Sequence, residues 1–261
     1  MANLVAVQPA LHQHLLVLPS QIDIHAAGQN LIPLIPGELS HVATQLPVVL
    51  AKNGQTGQFV LAALTGFTAQ ENLMMADGQW QGIYLPLQIQ RQPFFVGKAT
   101  PDAEDYVVCI DLDSPATLFS PAPAKKIAQA DLSGVTSGAN PTAADAQALF
   151  NADGSETAYY RDAKLKLAQL LQGEQQRELL LSELLALRLL QPMSLEITFA
   201  DQSTTRLNGL YTIDEQQLAQ LPAEHLVRLH QQGLLGAVYA ILGSAAQIYG
   251  LIARKNKQLG D

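Results

Sequence analysis

Arg91 and the pair Asp214-Glu215 are the charges most out of keeping with their surroundings. Arg91 stands in "IYLPLQIQRQPFFVG", residues 83–97, as the single charge of an apolar and amide-rich run, and Asp214 and Glu215 interrupt "GLYTIDEQQLAQL", residues 209–221, in the same way. A guanidinium in such a place grips a carboxylate through two parallel hydrogen bonds or holds a peptide backbone. Arg91 therefore has two readings. In the preferred one it pairs with a carboxylate across the fold. In the other it forms a polar binding wall with Gln90, Gln92 and Tyr84. Asp214 and Glu215 divide similarly: an N-cap and a partner for the helix dipole, or, with Tyr211 and Arg91, the lining of a cleft. Arg254, Lys255 and Asn256 near the C-terminus read as a solvated helix end whose positive charge suits the dipole, or as a partner-docking patch.

Other catalytic chemistry is sparse. The chain has no Gly-x-Gly-x-x-Gly, no Gly-x-x-x-x-Gly-Lys-[Ser/Thr], no Gly-x-Ser-x-Gly and no His-Glu-x-x-His. Its six histidines fall in no His-x-Asp or His-x-Glu pair of the kind that holds iron. His12 and His14 are expected on a solvated N-terminal segment. In "VVCIDLDSP", residues 107–115, an apolar strand delivers Asp111-x-Asp113, as in some phosphoryl-transfer enzymes that place a nucleophile and an acid beside magnesium. Pro115 and the Pro/Ala-rich stretch after it break that pattern, so carboxylates tying a strand end are the preferred reading. Neither a metal nor a cofactor is expected.

These residues must be positioned by an α+β architecture. Residues 1–120 are rich in Pro, Gly and β-formers, with strands predicted over 58–67, 81–90 and 105–112 and turns at Asn53-Gly54 and Asp77-Gly78. The latter lies between two apolar runs and predicts a hairpin. Residues 121–146 are Pro/Ala/Ser-rich and read as an exposed loop or insertion. A helix is predicted over 158–190, with an apolar face that includes Leu167, Leu180 and Leu184, a possible kink at Gly173 and a stop at Pro192. A hairpin turning at Asp201-Gln202 and three helices over 214–220, 222–232 and 234–257 complete a helical part, residues 147–261. The fold expected is thus a mostly antiparallel N-terminal sheet packed with a C-terminal helical region containing one hairpin, in one integrated domain.

Composition narrows the function classes. A formal net charge of −8 leaves no concentrated basic face for displacing counterions from nucleic acid. Cys109 is the only cysteine, so no intrachain disulfide can form, and a reducing, cytoplasmic setting fits. The start has no positive n-region and no Ala-x-Ala-like cleavage site after a continuous apolar core, so no secretory signal is expected. Residues 234–253 are uncharged and long enough to cross a bilayer. Glycines at 236, 243 and 250 suit close packing instead, and integral membrane insertion is not expected.

The motifs "ENL" (71–73), "YLPLQIQRQPF" (84–94), "LFNADG" (149–154), "GLYTIDEQQLAQL" (209–221) and "LHQQGLLGAVYA…LIARKN" (229–256) resemble the bacterial SapC family over nearly the whole chain. The family takes its name from a role linked to surface-array (S-layer) proteins and their export, and the same label also denotes an unrelated peptide-transporter permease. The resemblance implies a soluble accessory protein for cell-surface or outer-membrane proteins. Its partner would be a polypeptide client or a modifying enzyme, such as the flavin-dependent halogenase-like proteins encoded near relatives. Two other readings stay open: an enzyme of unrecognised type, oxidoreductase or peptide-modifying, with a cleft at Arg91, Tyr211, Asp214 and Glu215; and a peripheral membrane protein that uses its last helix.

Overall fold

The computed structural model describes residues 2–98, 106–119 and 145–260, so residues 121–144 of the expected loop lie outside the described residues. The first elements are β1 (Leu4–Ala6), α1 (Pro9–His12), β2 (Leu15–Val17), β3 (Leu31–Pro33), α2 (Leu39–Val42), β4 (Val48–Lys52) and β5 (Phe59–Leu64). Then come β6 (Met75–Ala76), β7 (Gln79–Trp80), α3 (Leu87–Gln90), β8 (Phe94–Lys98), β9 (Tyr106–Asp111), β10 (Thr117–Phe119) and β11 (Gln147–Ala148). The rest is α4 (Ala158–Ala186), β12 (Leu190–Thr198), β13 (Thr204–Ile213), α5 (Glu215–Ala219), α6 (Ala223–Gln231), α7 (Leu235–Ser244) and α8 (Ile248–Gly260). The architecture is α+β, as the sequence pattern implied. The chain forms two compact units, one from Met1–His25, Asp77–Gln79 and Ile89–Gln169, the other from Ala26–Ala76, Trp80–Gln88 and Leu170–Asp261.

The larger unit is organised by a five-stranded sheet in the order β12-β13-β4-β5-β3, in which every neighbouring pair is antiparallel. Val48, Val49 and Leu50 are buried one after another, as are Leu61, Ala62, Ala63 and Leu64. Successive strand residues face opposite ways, so both faces of β4 and β5 are covered. The Asn53 side chain closes the turn between them, accepting from the backbone N–H groups of Gln55 at 2.8 Å and Thr56 at 3.1 Å. Val238, Ile241 and Leu251 from α7 and α8 sink into the same core. Ser244 is fully buried; its Oγ accepts from the N–H of Val48 at 2.8 Å and donates to the carbonyl of Ile241 at 2.7 Å.

The smaller unit holds two three-stranded sheets, β1-β9-β8 and β10-β2-β11. Phe94 is its largest fully buried side chain, with the rings of Tyr159 and Tyr160 centred 6.3 and 5.8 Å away. Cys109 lies half-buried on β9, where burial raises the thiol pKa. His12 is buried rather than solvated, because its Nδ1 accepts from the N–H of Gln8 at 2.9 Å and closes the turn of α1.

Four element expectations need correction. Residues 81–90 are not a strand. After β7 the chain runs through an irregular segment into α3, and Pro86 and Pro93, which lack N–H groups for a ladder, bracket that helix. The long helix ends at Ala186, with Arg188 in the left-handed region (φ 54°) and the N–H of Leu189 returning to the carbonyl of Leu184 at 2.9 Å. Pro192 does not stop it but sits in β12, an edge strand of the large sheet, where a missing donor costs no ladder bond. The last helix is divided by a 3-10 turn at Ala245–Gln247. Gly173 leaves α4 continuous; a Cβ there would lie 2.6 Å from the Cβ of Ile35, so it marks a close approach instead of a kink.

Candidate functional site

Glu38 is the only Asp, Glu, Lys or Arg among residues 24–51, and it is 1% exposed. A 3-10 turn at Pro36–Glu38 aims its side chain back over the backbone, where Oε1 accepts from the N–H of Ile35 at 3.1 Å. The other oxygen, Oε2, accepts from the N–H of Leu87 at 2.8 Å and the hydroxyl of Tyr84 at 3.2 Å. Burial raises the Glu38 pKa above the ordinary carboxylate value, although the N–H groups of Leu87 and Ile35 and the Tyr84 hydroxyl oppose that shift. Burial and the neighbouring carboxylate likewise push the Tyr84 phenol well above its usual value. The exposed His41 ring stacks on Tyr84, 5.1 Å between centroids. Tyr84, read from the sequence as a binding residue, is thus joined to a carboxylate that the sequence reading passed over. A lone charge in "LIPLIPGELSHV", residues 31–42, was the available signal, the same kind that singled out Arg91.

Arg91 and Gln92 belong to the smaller unit. An Arg91 terminal nitrogen (NH1) donates to the carbonyl of Phe94 at 2.7 Å, and the guanidinium lies 4.1 Å from the centre of the Phe95 ring. Burial brings its pKa down to about 10, which leaves it charged at neutral pH. Gln92 is half-buried; its Oε1 has no hydrogen-bond partner, and the peptide bond to Pro93 is cis. Also in this unit, His25 Nε2 sits 3.0 Å from Ser114 Oγ, which accepts from the N–H of Ala116. Burial holds His25 below its ordinary pKa, against the pull of Asp111. Asp111 itself ties the strand end, accepting from the N–H groups of Asn3 at 2.8 Å and Asp113 at 3.1 Å.

Tyr211, Asp214 and Glu215 fall in the larger unit. The Tyr211 ring meets that of Phe59 edge-on, 4.9 Å between centroids. Asp214 caps α5, accepting from the N–H of Gln217 at 3.0 Å, and Glu215 is exposed in the first turn. Asp214→Ala is expected to lower stability by about 1 kcal/mol, the usual worth of an N-cap, as read from the urea midpoint. In α8, Arg254 is half-buried and Lys255 pairs with Glu71 at 2.7 Å, both ends largely enclosed. Burial works to raise the Glu71 pKa, but the Lys255 hydrogen bond and the N–H groups of Phe67 and Thr68 together hold it below the usual value. Asn256 accepts from the N–H of Ala200 at 2.9 Å.

Two concavities are formed by described residues of the larger unit. One, of about 330 Å³, is lined by Pro36, Gly37 and Ser40, by Gln176 of α4 and by the turn between α6 and α7. The other, of about 620 Å³, is a groove between residues 56–59 and α4. Its surface combines Phe59, Leu181 and Leu185 with Thr56, Gln58, Ser182, Arg177 and Glu178. Arg177 is braced by an ion pair with Glu174, yet its buried Nε has no hydrogen-bond partner. Among the described residues no three His, Cys, Asp or Glu side chains converge to hold a metal ion. A family model described as SapC matches residues 7–251. Comparisons with curated proteins and with solved structures find no match.

Proposed function

The chain belongs to the SapC family, and on that premise we propose that it is a soluble, non-catalytic accessory protein that holds a polypeptide client during export or modification of cell-surface proteins. The groove against α4 supports this reading best. Phe59, Leu181 and Leu185 offer an apolar floor, and Leu185 is 51% exposed. Thr56, Gln58 and Ser182 add hydroxyl and amide groups along the edge. An apolar floor with a hydrogen-bonding rim suits an extended peptide, whose side chains need pockets and whose backbone needs partners.

The acidic balance of the chain and its single thiol favour action in the cytoplasm before the client leaves it. The segment Leu235–Gly260 is long and apolar enough to span a bilayer. Its buried face, Val238, Ile241, Ser244 and Leu251, is already taken by the core, so spanning would require dismantling the large sheet's cover.

Affinity purification from the native cell with mass spectrometry tests the reading. A polypeptide at one copy per chain is expected with the wild type, and its retention should fall at least about tenfold in Leu185→Asp, because a charge then replaces an apolar anchor that the client would cover. Circular dichroism should be unchanged, since Leu185 is exposed. A small molecule held at one per chain without a polypeptide would overturn the proposal and favour an enzyme.

A further inference from the structure

Ile83 is 97% exposed, the most exposed large apolar side chain among the described residues. Single apolar side chains on a surface are ordinary, but this one is held in place by an unusual number of bonds. Gln45 Oε1 accepts from the N–H of Ile83 at 2.7 Å and from that of Tyr84 at 3.3 Å. The Gln45 amide donates back to the Tyr84 carbonyl, which also accepts from the indole Nε1 of Trp80 at 3.1 Å. Gly82 completes the clamp: a Cβ there would come within 2.5 Å of Trp80 Nε1 and 2.6 Å of Gln45 Oε1. Beneath the loop, the Tyr84 hydroxyl is anchored on buried Glu38 and its ring lies on His41.

A loop that served only to connect β7 to α3 would not need its tip fixed from both sides. Fixing an apolar residue in the open removes in advance the ordering entropy that docking would otherwise oppose. We propose that Ile83 is a preorganised docking anchor for an unlike protein that offers an apolar pocket of isoleucine size within a neutral to basic rim.

Three observations select that occupant. No Lys or Arg occurs in residues 53–90, so the loop lacks the cations that draw a segment to an anionic lipid surface. The chain carries a net charge of −8, which complements a basic partner. A knob that entered a pocket elsewhere on a second copy would make a head-to-tail contact, which propagates unless its rotation closes. The proposal does not depend on the groove against α4, which is a different surface.

The test places a photo-crosslinking benzoylphenylalanine at position 83 of the full chain in the producing cell, then measures affinity for the captured protein once purified. The expected result is one unlike protein crosslinked at 83 and not at the exposed control position Gln216. Ile83→Asp should weaken its binding at least about tenfold with an unchanged melting temperature. Gln45→Ala keeps the isoleucine but frees the loop, and should weaken binding several-fold. Leu185→Asp should leave this binding intact, so that failure here and failure of the groove are separable. Adducts to lipid or to another copy, no adduct above the control, or full affinity in Ile83→Asp would each overturn the proposal.

Discussion

Glu38→Ala should lower the stability of the larger unit by about 4 kcal/mol, because it strands three donors at once: the buried N–H groups of Ile35 and Leu87 and the half-buried Tyr84 hydroxyl. Each unsatisfied group costs about 1–3 kcal/mol, and the sum is reduced because the ionised carboxylate was itself costly to bury. Trp80, the only tryptophan, is bonded to Tyr84, so its fluorescence during urea unfolding reports on this neighbourhood. A loss under about 1 kcal/mol would mean that Gln45 and Trp80 hold the loop above Glu38 without its help. The pH dependence has a definite sign. Since burial raises the Glu38 pKa, its protonated form contributes stability that is fully present below the ordinary value of 4.5 and is lost as pH rises through the folded value. Glu38→Gln cannot titrate, so the advantage of the wild type over this variant should shrink as pH rises across that window. An advantage that grows instead would contradict the burial-dominated shift.

Gly173→Ala should destabilise by about 2 kcal/mol even though alanine is the better helix former by about 1 kcal/mol. The new methyl would meet Ile35 at its Cβ as well as its mobile Cδ1, and a Cβ cannot swing aside. Ile35 is 3% exposed, so Ile35→Ala alone should cost about 3 kcal/mol by leaving a cavity. Alanine at 35 keeps the Cβ that the new methyl meets, so the double variant relieves only the Cδ1 and Cγ2 contacts, and a double-mutant cycle should give a partial coupling of about 1 kcal/mol. Simple additivity of the two losses would show that Ile35 does not set the approach of α4.

Features decided by local chemistry were legible in the sequence. The run that became β5 is apolar and that of β9 is rich in β-branched residues, the Asp201-Gln202 turn adopts a positive φ at Gln202, and Asp214 precedes a helix it caps. Pro192 misled because its meaning depends on position in a sheet, where a proline tolerated at an edge looks in sequence like one that stops a helix; residues 81–90 misled because their apolar run reads as a strand although Pro86 within it cannot donate to a ladder. Glu38 was missed for a related reason. Its partners Tyr84 and Leu87 lie 46 and 49 residues away, and no spacing rule connects them. Arg91 was noticed as an isolated charge, but sequence could not show that Phe94 and Phe95, three and four residues on, would engage it.

The order β12-β13-β4-β5-β3 has a consequence for biosynthesis. β4 and β5 emerge from the ribosome early and can form their hairpin at once, yet the neighbour of β4 is β13, made after most of the chain. Until then the outer edge of β4, with its three consecutive buried apolar residues, has no partner, and the α7 and α8 side chains that cover it do not yet exist. Such long-range pairing closes slowly and leaves a sticky intermediate. Translation rate and chaperone supply should therefore govern the soluble yield of this protein more than the stability of its finished fold.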